Sequence, residues 1–193
     1  MELSMKIQQP LPIARLGEKI LSQKAAPVPK ADLSKCLPIV EQMLFTLDSL
    51  GERIGLAAPQ VFIDKRIVIF RIPLSTHNRY QLENKQEEIP FTVMINPVWT
   101  QTSDTQEEGW EACISLPNLM GKVPRYTDVS YEYYDLDGIL NHRTASGFHS
   151  RVIQHECDHL DGYVYTQRMK DLSTLTFEDV RLKNTQNKQE LVA

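Results

Sequence analysis

Two histidines four residues apart, with a glutamate directly after the first, stand in Gln154-His155-Glu156-Cys157-Asp158-His159-Leu160. On an α-helix this spacing puts the two imidazoles about 40° apart on one face and roughly 6 Å apart along the axis. Both rings can then reach one metal ion. Glu156 lies about 100° round from His155 and about 60° from His159 on its other side. From there it can reach an activated water without ligating the metal. A metal-assisted hydrolase needs this set: two neutral ligands, and a base for the water's proton. The bland alternative is a helix whose two histidines merely pack or face solvent.

The flanking residues predict the helix that this chemistry needs. Phe148, Val152, His155 and His159 share one stripe, with Ile153 and Leu160 widening its apolar side. Ser146-Gly147 is the expected start, and Asp161-Gly162 the expected stop, with glycine just past the last turn.

A catalytic metal usually takes three protein ligands and keeps one position open. Cys157 is about 200° round the helix from His155 and points away. Asp158 and Asp161 are poorly directed, and His149 is on the wrong turn. His77 and His142 lie in an expected loop and hairpin. Cys113, in Glu107-Glu108-Gly109-Trp110-Glu111-Ala112-Cys113-Ile114-Ser115-Leu116-Pro117, could send a thiolate from a strand or turn packed across the helix. The bland reading is a buried free cysteine, the commoner fate of an isolated one.

The rest of the chain reads as an α+β domain of short, mostly antiparallel β-sheets around a central, metal-binding helix. Residues 1–30 read as an extended arm with one short helix near Gly17–Gln23. A core helix is expected over Leu37–Leu50, stopped by Gly51 and packing Cys36 at its start. Gly55-Leu56-Ala57-Ala58-Pro59-Gln60 is small enough for close backbone or ligand approach. Strands are expected over Lys65–Arg71 and over Phe91–Ile95, the second ended by Asn96-Pro97. Val129, Tyr131 and Tyr133 alternate into a hairpin at Asp137-Gly138. Residues 73–90 read as a surface loop. From about residue 170 a polar tail follows, with a last helix near Phe177–Lys183. One domain over 1–193 is expected from the length.

The net charge of −4 gives no argument for direct sequence-specific nucleic-acid binding or an anionic membrane. No apolar run suggests a transmembrane helix, and Met1–Leu11 does not resemble a secretory signal. Three cysteines, an odd number, suggest reduced thiols and a cytoplasmic protein.

Three segments in order resemble the peptide deformylase family: Gly55-Leu56-Ala57-Ala58-Pro59-Gln60, Glu111-Ala112-Cys113-Ile114-Ser115 and His155-Glu156-Cys157-Asp158-His159. Ile95-Asn96-Pro97, Val123-Pro124-Arg125, Leu136-Asp137-Gly138, Leu160-Asp161-Gly162 and Arg168-Met169 extend the likeness from about Pro12 to Met169. The resemblance implies a deformylase-like fold. It implies a hydrolase that removes the formyl group from the N-terminal formyl-methionine of nascent polypeptides and releases formate. It makes Cys113, His155 and His159 the metal ligands, and Glu156 the general acid/base. Gln60 and the Ile114 backbone N–H become the oxyanion stabilisers. Ile54, Gly55, Glu111 and Phe148 become substrate-binding residues, with Glu111 and Arg125 a structural ion pair. Fe(II) is the implied metal, with Zn(II), Ni(II) or Co(II) as substitutes. The implied partners are formyl-methionyl nascent peptides, with the ribosome as a further candidate.

Two residues depart from the family pattern. Ala112 stands where the second motif has glycine, and Arg53 stands where a glycine usually precedes the first motif by two positions. They motivate a competing reading, a catalytically weakened deformylase-like metal-binding protein. An unrelated H-E-x-x-H metallopeptidase is a third reading, and it leaves the other two motifs unexplained.

Overall fold

The computed structural model describes residues 9–74, Tyr80 and 88–190, with side chains as far as residue 184. Most of the expected 73–90 loop, His77 included, lies outside the described residues.

Strands β1 (Gly55–Ala57), β2 (Ile67–Ile72), β3 (Ile89–Gln101), β6 (Asp128–Tyr134) and β7 (Leu140–Ser146) form an antiparallel sheet in the order β1-β2-β3-β6-β7. The helix α1 (Leu37–Ser49) covers one face and α2 (Gly147–Leu160) the other. Strand β2 shows why. Its run Ile-Val-Ile-Phe has no polar alternation, because both faces are covered. Ile67 and Ile69 meet Val40, Met43 and Leu47 of α1. Val68, Phe70 and Ile72 fall on the other side, with Val152, Ile153 and Leu160 of α2. Burying each such side chain contributes about 1.5–3 kcal/mol.

A second sheet has the order β4-β5-β8, from β4 (Gln106–Cys113), β5 (Leu116–Tyr126) and β8 (Thr176–Phe177). The α2 helix is held between the two sheets. Its apolar face meets the first sheet, and its polar face meets the second: Ser150 and Gln154 donate to Tyr126 O at 2.8 and 2.9 Å, and Arg151 donates to Val123 O at 2.7 Å.

Several boundaries differ from the sequence reading, each for a local reason. Strand β3 does not end at Asn96-Pro97. Proline has no N–H for the ladder, and the β3–β6 register shifts between Ile95 and Val98 to pass it. Asn96 adopts φ 52° there, accepting from Val28 N at 2.8 Å and donating to Val28 O at 2.7 Å. Strand β5 went unread because Pro117, Gly121 and Pro124 mask its pattern. Gly121 has its own reason: a Cβ there would lie 2.6 Å from the Met169 side chain. The polar segment from about 170 carries the expected last helix, as α3 (Glu178–Glu190), and adds a short strand, β8, that was not expected. Arg181 of α3 is buried, its guanidinium 4.6 Å from the Trp110 ring. The expected short helix near Gly17–Gln23 is a 3₁₀ turn at Lys19–Ser22.

Candidate active site

The α2 helix starts at Gly147 and ends at Leu160, with Gly162 at φ 83° just beyond it. His155 and His159 therefore share a face, their ring centroids 5.0 Å apart. Cys157 points into the opposite core and is 1% exposed, and burial drives its thiol pKa far up. It is an inert packing thiol.

Cys113 is the last residue of β4, where the β4–β5 register shifts between Ala112 and Cys113. Its Sγ lies 3.3 Å from His159 Nε2. The ligand atoms of Cys113, His155 and His159 all fall within 4.8 Å of one another, and among the described residues they are the group able to hold a metal ion. Burial alone would raise the Cys113 pKa. The His159 charge, with hydrogen bonds from His155 and His159, instead holds it well below the usual thiol range. Burial likewise disfavours a charged His155, and Cys113 and Glu111 outweigh it, raising that imidazole well above its usual range. The site thus concentrates positive charge between a thiolate and a carboxylate. One thiolate with two imidazoles, so compensated, fits a divalent transition metal.

Glu111 orients this set from behind. Its Oε2 is 2.8 Å from His155 Nδ1, which leaves Nε2 free to ligate. The Arg125 guanidinium grips the same carboxylate with bonds of 2.9 and 3.1 Å. Arg151 Nη1 adds a third, 2.9 Å from Oε1. Burial would raise the Glu111 pKa, but Arg125 and His155 hold it far below the usual range. Asp158 in turn accepts from Arg125 at 2.6 Å and from Arg168 at 2.8 Å. Sequence reasoning paired Glu111 with Arg125 and missed Arg151, Asp158 and Arg168. The seven-residue spacing of Arg151 and Asp158, two turns of one helix, was the available signal.

Glu156 is buried, and its Oε2 has no hydrogen-bond partner among the described residues. Burial pushes its pKa up to about 6. A carboxyl poised there can both take and give a proton near neutral pH. Gly55 makes room for it: a Cβ on Gly55 would collide with the Glu156 carboxylate. Gln60 sits in a 3₁₀ turn, Ala58–Val61, after β1. Its Oε1 accepts from Ala57 N at 2.9 Å, and its Nε2 lies 3.3 Å from both Cys113 Sγ and Ser115 Oγ. The bond to Ser115 is long for an oxygen acceptor, which leaves Nε2 able to turn to a stronger one.

Most of the groups that could do chemistry face one open cleft. Ile54, Gly55, Gln60, Glu111, Cys113, Ile114, Phe148, His155 and Glu156 line it. His159 is fully buried at its base, and Arg125 stands behind Glu111. Trp110 and Tyr80 also line the cleft, Tyr80 packing on Phe148 at 4.9 Å, and sequence reasoning singled out neither.

The two departures both lie in the cleft. Ala112 is absent from the residues at positive φ, so its methyl costs no left-handed strain. Ala112→Gly is therefore expected to lower stability by about 0.4–1 kcal/mol through the unfolded chain. Metal content should hold, and kcat/KM should change less than about tenfold. Denaturant melts and steady-state rates check this, and a hundredfold gain in rate would contradict it.

A family model described as polypeptide deformylase matches residues 10–174. Peptide deformylase 2 of Ralstonia nicotianae is 40% identical over 169 residues, covering 88% of this chain and 92% of that protein. Peptide deformylase 2 of Pseudomonas syringae pv. tomato is 42% identical over 170 residues, covering 87% and 92%. A crystal structure of class I type b peptide deformylase from Acinetobacter baumannii, bound to Met-Ala-Ser, matches with a TM-score of 0.73 at 33% identity, covering 83% of this chain and 99% of that one.

Proposed function

The chain belongs to the polypeptide deformylase family, metal-dependent hydrolases that remove the N-formyl group from nascent polypeptides, and from that premise we propose the role of each residue in its site. Cys113, His155 and His159 would hold the metal, and Glu156 is the general acid/base. The single observation that carries this reading is the buried Cys-His-His group with the unpartnered Glu156 carboxylate beside it. A divalent ion held there supplies Lewis-acid activation of water and of the formyl carbonyl.

The protein's own groups do the rest. Glu156 Oε2 takes the proton of the attacking water and returns it to the departing amine. Gln60 Nε2, with the Ile114 N–H, stabilises negative charge developing on the formyl oxygen. Glu111 holds His155 in the tautomer that leaves Nε2 for the metal. Ile54, Phe148 and Val152 give the cleft an apolar wall that suits a methionine side chain. The product-like Met-Ala-Ser bound to the Acinetobacter baumannii structure supports a peptide N-terminus as the occupant.

We assign Fe(II) as the working metal and treat Zn(II), Ni(II) and Co(II) as substitutes. The nascent-chain substrate supports a cytoplasmic enzyme, one functional domain, acting beside the ribosome. Among the described residues no helix is long and apolar enough to cross a membrane. Metal-free protein reloaded anaerobically with each ion tests the metal. The Fe(II) form is expected to exceed the Zn(II) form in kcat/KM by about tenfold or more, roughly 1.4 kcal/mol in the barrier. Equal rates would overturn the choice of iron.

A further inference from the structure

Arg53 lines the cleft half-exposed, and among the described residues no side chain bonds or pairs with it. The other cleft arginine is committed elsewhere: Arg151 is bonded to Glu111, Val123 O and Glu107 O. Of the cleft carboxylates, Glu111 is gripped by two arginines and Glu156 is buried beside Gly55. The rest of the described lining is largely apolar, with Ile54, Tyr80, Trp110 and Phe148 in it. Among the described residues the cleft therefore presents one unpaired positive charge on a largely apolar rim.

The chain's own reach sets what that charge would meet. Gly55 abuts the Glu156 carboxylate, and Arg53 is two residues earlier, at most about 7 Å further along an extended backbone. The reacting formyl group must come within about 3 Å of Glu156. A peptide leading outward from it advances about 3.3–3.6 Å per residue. A peptide leaving along the edge of residues 53–55, which line the same cleft, brings its second and third residues abreast of the Arg53 side chain. We propose that Arg53 is a specificity-determining residue, favouring formyl-methionyl peptides with a carboxylate at the second or third position and disfavouring lysine there. This rests on the deformylase reading and names the substrates that reading leaves open. The plain alternative is a solvated cation that touches no substrate.

The test uses metal-loaded enzyme and formate release, with formyl-Met-Ala-Ser as the neutral reference. Aspartate and lysine replace alanine in one pair of peptides and serine in another. Exposed charge pairs are weak, so the aspartate-to-lysine ratio of kcat/KM at one of the two positions is expected to be about fivefold or more at low salt. It should lie mainly in KM, because Arg53 is remote from the reacting atoms. Salt at about 0.5 M should shrink it towards one, which a structural role for Arg53 would not produce. Arg53→Gly should also bring it towards one, and Arg53→Glu should invert it. Equal turnover of all peptides, or a ratio that survives Arg53→Glu, overturns the inference alone. No formate from any peptide, the reference included, overturns the deformylase reading and this inference with it.

Discussion

Cys113→Ala is expected to fold, to lose its metal and to release no measurable formate. A divalent ion needs its ligand set, and removing one of three leaves a weak site. Outer groups around a metal typically cost 10–100-fold in affinity when removed, so a ligand should cost at least about a hundredfold. His155→Ala and His159→Ala should behave alike, since the three ligand atoms form one group. Elemental analysis after dialysis checks this on the same samples used for turnover. Full metal content in Cys113→Ala would mean that another residue completes the site.

Glu156→Gln should keep its metal and lose at least about 10²-fold in kcat, the usual scale of general acid/base catalysis. The amide keeps the shape of the side chain and cannot accept the proton. Loss of metal instead would make Glu156 a ligand. The pH dependence follows from burial, which raises this carboxyl from its ordinary 4.5 to about 6 in the metal-free protein. The base form is lost as pH falls through that value, so wild-type turnover should decline there, or lower where a bound cation favours the carboxylate. Stability runs the other way. A raised carboxyl pKa stabilises the fold when protonated, and that contribution is lost between about pH 4.5 and 6. At pH 7 the buried carboxylate then costs metal-free protein about 2 kcal/mol. Glu156→Gln should be more stable than wild type by that order at pH 7, with the difference vanishing near pH 4. Chemical melts at the two pH values read this directly.

The histidine helix was legible because its signals are local: a 3.6-residue stripe, a glycine stop and two ligands one turn apart. The α1 helix and β2 were legible for the same reason. Cys113 was not, from spacing alone. It lies 42 residues from His155, and only the turn-end register shift at Ala112 and Cys113 brings it across. Resemblance supplied it. The charges behind the site were harder still. Arg151, Asp158 and Arg168 join Glu111 and Arg125 through contacts between elements, and such pairings leave no period in the sequence. Proline misled twice, in β3 and β5, where strands absorb it by a register shift or beside other irregular positions. The polar end of the chain misled once. Arg181 is charged, yet it is buried against Trp110, because an aromatic face can hold a guanidinium.

The most direct test of the account is an anaerobic titration of metal-free protein with Fe(II), following formate release from formyl-Met-Ala-Ser. No release is expected without metal, then a linear rise that breaks at one ion per chain. The same titration of Cys113→Ala should show no rise. Formate release independent of metal, or no release from fully loaded wild-type protein, would contradict it.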